Sequence, residues 1–336
     1  MPRVIVVGAR GYTGAELLPL LHRHPEFELV AVGSGSVAGE PVGAHVPGME
    51  DSGLVFADIG PQDLATLRAE ACVLALPNGA AAPYVAALDR HAPETVVVDL
   101  SADHRFDPAW AYGQPERFGD RLAGARRIAN PGCYATGAQL ALAPLLGQLA
   151  GTATVFGVSG YSGAGASPSR RNDVAVLADN LLPYALVDHV HEREVSHHIG
   201  HEVRLLPHVA PFFRGISLTI AADVQRNQTA EGLLELFRAF YARCPLVAVR
   251  AAVPEVKEVR GTHGVILGGF AVSEARASRI ALVAVLDNLL KGAALNAGLA
   301  AALGETIMFL DADLGDSASN ARPILEAVRS GGAKHG

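Results

Sequence analysis

A chain of 336 residues, half of them hydrophobic, has material for two packed cores rather than one. Its formal charge of −7, with cations scattered rather than clustered, excludes a nucleic-acid backbone as partner, and no apolar run is long enough to cross a bilayer. Three distant cysteines, Cys72, Cys133 and Cys244, suit a reducing compartment, and a strand already begun at Val4 leaves no room for a signal peptide, so a cytoplasmic protein is expected.

The first half alternates strand-length apolar runs with helical patterns, the sign of a parallel sheet with helices on its faces. Strands are expected at 4–8, 29–33, 71–77 and 95–101, with helices near 13–23, 61–70 and 79–90. "RRIANPGC" then leads into a helix from about Tyr134 to Leu149. Beyond Gly151 the runs at 152–160, 201–209 and 215–224 are longer and alternate, as antiparallel strands do. A helix near 229–243 carries Leu233, Leu236, Phe237, Phe240 and Tyr241 on one stripe. Two more strands, "GVILGGFAV" and "IALVAVLDN", precede a last helix from about Asn288 to Leu303. "SGYSGAGASPS" reads as a mobile loop.

The opening "VIVVGARGYTGAELL" places Gly8, Gly11 and Gly14 between a strand and a helix. Glycines there allow a tight turn and let a pyrophosphate approach the helix N-terminus; the plain alternative is a βα turn without a ligand. At the end of the second strand no carboxylate occurs before Glu40, whereas Ser34 and Ser36 accept a 2′-phosphate without repelling it, unless they only make the turn.

Cys133 follows Pro-Gly at the start of a helix. Such a position lowers a thiol pKa from about 8.5 to between ~3.5 and ~7.5. It also presents N–H groups to an oxyanion, worth ~3–4 kcal/mol for a well-placed donor. The rival reading is a cysteine that merely caps the helix. "DHVHEREVSHHIGH" (188–201) supplies proton partners. If 188–192 is extended, His189 and His191 point the same way, and Glu194 fixes the tautomer of one imidazole. A solvated helix start without chemistry stays open, as does a metal site drawing on His197, His198 and His201. No ligand-rich partner segment occurs elsewhere, so no metal is expected.

Seven motifs, "GARGYTGAEL", "ALPNG", "DLSADHRF", "NPGCYAT", "SGYSGAG", "PHVAPFFRGI" and "DNLLKGAA", occur in an order that resembles the N-acetyl-gamma-glutamyl-phosphate reductases of arginine biosynthesis, from about residue 3 to 300. That family is related to the aspartate-semialdehyde dehydrogenases. The resemblance implies an α/β fold: a Rossmann-type dinucleotide-binding domain (1–150) and an α+β catalytic and oligomerisation domain with a mostly antiparallel sheet (151–286). The tail 287–336 would pack back on the first domain. It implies Cys133 as nucleophile, His191 as acid/base and Glu194 as its orienting partner. Gly8, Arg10, Gly11, Tyr12, Thr13 and Gly14 match the dinucleotide loop, with Ser34 and Ser36 at the ribose. Pro77, Asn78, Ser101, Ser162 and Gly163 fall on the nicotinamide side, and Asn288 matches a further cofactor contact. Arg105, Asn130, His189 and Arg214 are assigned to substrate, with ion pairing the alternative for the two arginines.

The implied reaction is NADP(H)-dependent. Cys133 attacks an acyl phosphate, phosphate leaves, and the thioester is reduced to a semialdehyde within a homodimer or homotetramer. Four positions depart from the pattern: Val190 replaces an arginine, Arg193 and Ala135 replace prolines, and Gly35 replaces an arginine that favours NADP. Arg193 is a candidate to replace the first missing charge and Arg10 the second. The alternatives are a reductase of carrier-linked aminoadipyl phosphate, for which no basic surface cluster is evident, an aspartate-semialdehyde dehydrogenase, a dinucleotide-binding sensor without turnover, and a metallohydrolase.

Overall fold

The computed structural model describes residues 1–291. Its first sheet takes strands β1 (Arg3–Val7), β2 (Glu28–Gly33), β3 (Phe56–Ala57), β4 (Ala71–Leu74), β5 (Val96–Asp99), β6 (Ala111–Tyr112) and β7 (Arg127–Ala129), in the order β3-β2-β1-β4-β5-β7-β6. Every neighbouring pair is parallel. Four helices are interleaved with them: α1 (Tyr12–His22), α2 (Leu64–Leu67), α3 (Ala82–His91) and α4 (Pro115–Leu122).

The parallel sheet follows from the unbroken apolar runs of β1, β4 and β5, because strands covered on both faces cannot alternate. Side chains still alternate in direction. Val4 and Val6 enter one core with Leu17, Leu18 and Leu21 of α1, whereas Ile5 and Val7 enter the other with Val85 and Leu88 of α3. Each such side chain contributes ~1.5–3 kcal/mol on burial. Cys72 sits in the second core, where burial pushes its thiol up to about 12, so it is inert packing.

Some boundaries differ from the sequence reading. The segment 61–70 is a short 3₁₀ turn, Pro61–Asp63, followed by the single turn of α2, which Arg68 ends in the left-handed region at φ 48°. The helix expected to reach Leu149 is α5 (Cys133–Leu142); Pro144 in the following turn cannot continue the helical ladder, and Leu149 already opens the next strand.

The second sheet is built from β8 (Leu149–Gly160), β9 (Leu182–Pro183), β10 (Val203–Ala210), β11 (Ile216–Val224), β12 (Val247–Val249), β13 (Val265–Val272) and β14 (Arg279–Leu286). Helices α6 (Val174–Leu177), α7 (Val190–Ile199) and α8 (Ala230–Phe240) interrupt it, and its order is β12-β13-β14-β11-β8-β10-β9. Most pairings are antiparallel, but β8 runs parallel to β10, a correction to the uniform reading of the long strands. The chain between those two strands contains α6 and α7, and such a crossover is what a parallel pair requires.

One face of this sheet, with Val155, Leu205, Leu218, Ile220 and Leu282, packs on α5, α7 and α8. Helix α5 is apolar on all sides and buried from Tyr134 to Leu142, as a helix caught between layers must be. Gly137 sets its approach: a Cβ there would lie 2.6 Å from Leu218 Cδ1 and 2.7 Å from Leu286 Cδ2. Among the described residues nothing covers the opposite sheet face, and Phe156 on it is 37% exposed. After β14, Asp287, Asn288 and Lys291 are buried, and Lys291 Nζ pairs with Glu116 of α4. The rest of the expected helix to Leu303, and of the tail to 336, lies outside the described residues.

Candidate active site

The order of the first sheet changes direction between β1 and β4, and a crevice at the carboxyl ends of strands flanking such a point is where open parallel sheets bind ligands. A cavity of about 280 Å³ lies there. Its walls come from the segments that follow four strands: Gly11–Gly14 after β1, Ala75 and Leu76 after β4, Leu100 after β5, and Asn130–Cys133 after β7. The second sheet contributes Ser162, Gly163 and His191, with Asn288 from the chain beyond β14.

The dinucleotide loop keeps its glycines for close approach. Gly8 has φ +84°, and a Cβ on it would sit 2.4 Å from the Ala75 carbonyl oxygen. One on Gly14 would meet the Ala9 carbonyl oxygen at 2.3 Å. Gly11, the N-cap of α1, has open space in front of it. No side chain caps α1 and its first turn carries no acid, so its amides and positive dipole end suit a pyrophosphate. At the end of β2, Arg10 Nη1 donates to Ser36 Oγ (3.3 Å), which lies 3.3 Å from Ser34 Oγ. This cluster of one cation and two hydroxyls does not line the cavity. Sequence reasoning missed Asp58, which follows β3 and whose Oδ1 would lie 3.1 Å from a Cβ on Gly35.

Ser162, Gly163 and Asn288 come together on the cavity wall. Asn288 Nδ2 donates to Ser162 Oγ (2.9 Å) and its Oδ1 accepts from the Gly215 amide (2.7 Å). Pro77, Asn78 and Ser101 do not line the cavity. Asn78 accepts from the Ala102 amide (3.0 Å), while Ser101 donates to buried Asp99 (2.8 Å) and accepts from the Asp103 amide (3.1 Å). Asp103 in turn holds the Gly79 amide at 2.6 Å, and His104 Nδ1 lies 2.7 Å from Asp99. These bonds brace the loop that delivers Arg105.

Cys133 is the first residue of α5, after an uncapped Gly132, and is partly open to the cavity. The expected lowering of its pKa is not found. Burial pushes the thiol up to about 11, against the opposing pull of the Tyr134 amide and of Arg105. Nor is 188–192 extended. His191 lies in the first turn of α7, and His189 is the N-cap whose Nδ1 accepts from the His191 amide at 3.1 Å. The two rings touch at 4.8 Å between centroids. His191 packs on the Gly132 turn so closely that a Cβ on Gly132 would lie 2.2 Å from its Nε2. Its Nδ1 is buried without a hydrogen-bond partner among the described residues. Burial, then Arg105 and His189, hold its pKa well below the usual 6.5, so the imidazole is neutral.

Glu194 does not orient His191. It is fully buried on the next turn of α7 and accepts from Arg105 Nη1 (3.0 Å), Tyr112 Oη (2.7 Å) and the Gly132 amide (2.8 Å). Arg105 lines the cavity with each of its three nitrogens in one hydrogen bond, Nε donating to the Asn130 carbonyl and Nη2 to the Leu100 carbonyl. Asn130 lines the cavity too, its Nδ2 donating to the Pro131 carbonyl (3.1 Å). Arg214 is outside the wall, paired with Glu16 of α1 at 3.1 Å and with Asp287 at 2.8 Å, which ties the two halves together. Arg193 lies over the Phe106 ring and does not replace the charge missing at Val190. The remaining histidines have structural partners: His198 bonds the Arg105 carbonyl (2.8 Å) and stacks on Tyr112, His201 bonds the Gly151 carbonyl (2.6 Å), and His197 sits edge-on to Phe106.

Because thiol and imidazole are both neutral at rest, the iodoacetamide alkylation rate of Cys133 is expected to rise about tenfold per pH unit from 7 toward 10, since the thiolate fraction grows by that factor below the pKa. A rate already flat between pH 6 and 8 would instead show a preformed thiolate.

Two family models match the chain. That described as "Semialdehyde dehydrogenase, NAD binding domain" covers residues 3–125, and "Semialdehyde dehydrogenase, dimerisation domain" covers 133–288. A protein from Xanthomonas campestris pv. campestris (strain B100) named N-acetyl-gamma-glutamyl-phosphate reductase is 51% identical over 292 residues, 87% of this chain and 92% of the relative. The chain belongs to the N-acetyl-gamma-glutamyl-phosphate reductase family. A family member of the same name from Xylella fastidiosa (strain M23) is 52% identical over 87% of this chain and 89% of its own. Among solved structures, aspartate semialdehyde dehydrogenase II of Vibrio cholerae, complexed with ASA, superposes with TM-score 0.70 at 17% identity, covering 90% of this chain and 96% of that one. A probable aspartate-semialdehyde dehydrogenase from Pseudomonas aeruginosa gives 0.68 at 22% identity, over 90% and 97%. At such identities the likeness concerns the fold that the family shares with them.

Proposed function

We propose that this protein reduces N-acetyl-L-glutamyl 5-phosphate to N-acetyl-L-glutamate 5-semialdehyde, releasing phosphate, with NADPH as reductant and a thioester on Cys133. The observation that carries the reading is one cavity lined by a cysteine at a helix start, a neutral histidine and the uncapped N-terminus of α1. The names of relatives about half identical in sequence support the substrate.

Cys133 attacks the acyl carbon while its proton passes to His191. A thiol near 11 makes a general base necessary during bond formation, and a neutral imidazole is competent to serve. The proton then leaves on phosphate as the acyl–oxygen bond breaks. The N–H groups at the start of α5 face the developing oxyanion. When bound, NADPH would supply the hydride that reduces the Cys133 thioester to a thiohemiacetal oxyanion. His191, recharged from solvent, returns a proton to sulfur as the carbon–sulfur bond breaks and the aldehyde forms. Gly11, Tyr12, Thr13 and Gly14 would hold the diphosphate, with Ser162 and Asn288 on the nicotinamide side. Arg10, Ser34 and Ser36 favour the 2′-phosphate of NADP, although Asp58 offsets part of that charge.

The protein works as a homodimer or higher oligomer in the cytoplasm, joined through the uncovered face of the second sheet, which falls in the dimerisation-domain match. No helix among the described residues is long and apolar enough to cross a membrane.

Purified protein given the semialdehyde, phosphate and NADP⁺ is expected to show an absorbance rise at 340 nm that needs phosphate, faster than with NAD⁺. It should be slower with aspartate or aminoadipate semialdehyde. No phosphate-dependent signal with any of the three would overturn the reading.

A further inference from the structure

The proposed substrate carries a carboxylate at the far end of a five-carbon chain from its reacting carbon, and that anion needs a cation. Arg105 and Arg214 are consumed by Glu194, Glu16 and Asp287, and Arg193 lies over Phe106. Moving outward from Cys133, the ring of His191 touches that of His189 (4.8 Å), and His189 touches Tyr184 (5.5 Å). Arg171 sits with its guanidinium carbon 5.0 Å over the centre of the Tyr184 ring. Arg171 belongs to the loop whose Gly165 and Ala166 line the cavity, and no carboxylate pairs with it among the described residues.

We propose that Arg171, with Tyr184 and His189, forms the subsite that binds the substrate's α-carboxylate and so selects an acylamino-dicarboxylic semialdehyde over an aldehyde lacking that group. The inference rests on the functional reading above. Ring and cation contacts join the three side chains into one cluster beside the cavity, outside its wall. His189 spends Nδ1 accepting the His191 amide, so the neutral ring carries its proton on Nε2. Burial and the neighbouring Arg171 hold His189 at about 4, which keeps it in that neutral form across the working range. Arg171 brings the full charge and a planar fork matched to a carboxylate. The arrangement also answers for Val190: the cation absent from α7 is supplied from the facing loop.

The test compares N-acetylglutamate semialdehyde with 4-acetamidobutanal, the same aldehyde without its carboxylate, in wild type, Arg171→Ala, Arg171→Lys and Arg170→Ala. Arg171→Ala should raise KM for the semialdehyde ~10–100-fold, the range for a lost hydrogen bond to a charged group. Its kcat and its kinetics on 4-acetamidobutanal should be nearly unchanged, so discrimination collapses. Arg171→Lys should recover part of it, and Arg170→Ala, which removes the same charge one residue away, should resemble wild type. Equal losses on both aldehydes, or undiminished discrimination in Arg171→Ala, would overturn the subsite. A wild-type protein idle on both aldehydes would remove the functional reading and the subsite with it.

Discussion

A Cys133→Ser variant is expected to lose at least ~1,000-fold in phosphate-dependent turnover while binding NADPH as wild type does. The replacement is nearly isosteric, so folding should be spared. What changes is chemistry. The thiol already stands at about 11, held there by burial, and a hydroxyl in the same place is a far weaker acid and nucleophile. An oxygen ester formed on that hydroxyl would also be a poorer hydride acceptor than a thioester, so the loss falls on both halves of the reaction. Steady-state turnover paired with NADPH fluorescence titration separates the two effects. Turnover within tenfold of wild type would remove the cysteine from the reaction. Cys72 gives no substitute nucleophile, because it is sealed in the core between β1 and α3 with its thiol near 12.

The sites of Cys133 and of the glycine loop were legible because each depends on local signals: a strand, then a turn-forming residue, then a helix start. The central strands β1, β4 and β5 were legible for the same reason, as unbroken apolar runs. Strands β3 and β6, two residues each, carry no pattern long enough to read. Helix α7 was hidden at its start because its N-cap is His189, a residue type seldom used to accept from a first-turn amide. Taking that stretch as extended gave the right neighbours, His189 and His191, by the wrong geometry. The partners of Glu194 could not be read at all. Arg105 lies 89 residues before it and Tyr112 lies 82, and only the packing of α7 on α5 brings them together. The thiol pKa was misjudged for a related reason. A helix start is visible in sequence, whereas the desolvation that outweighs it is a property of the assembled cavity.

The Glu194 network yields the other large effect. Removal of this carboxylate as Glu194→Ala is expected to destabilise the fold by ~3–5 kcal/mol, the range for breaking a buried ion pair by deleting one partner. The Arg105 guanidinium would keep its charge without an anion, while the Tyr112 hydroxyl and the Gly132 amide would lose their acceptor. Chemical denaturation would read this as a fall in midpoint, with unchanged stability the result that rules it out. Glu194→Gln is the sharper variant, because it keeps the shape and one acceptor oxygen but removes the charge. In the native protein that charge raises the Cys133 thiol pKa, while Arg105 lowers it. Neutralising Glu194 leaves Arg105 unopposed, so Cys133 should alkylate faster at a given pH. Turnover should nevertheless fall, because Glu194 also holds Gly132 and Arg105 against the His191 ring, and catalysis depends on that placement. Opposite changes in reactivity and turnover are what a positioning residue predicts. If both rise together, Glu194 acts on the thiol through its charge alone; if both fall together, its loss has collapsed the pocket.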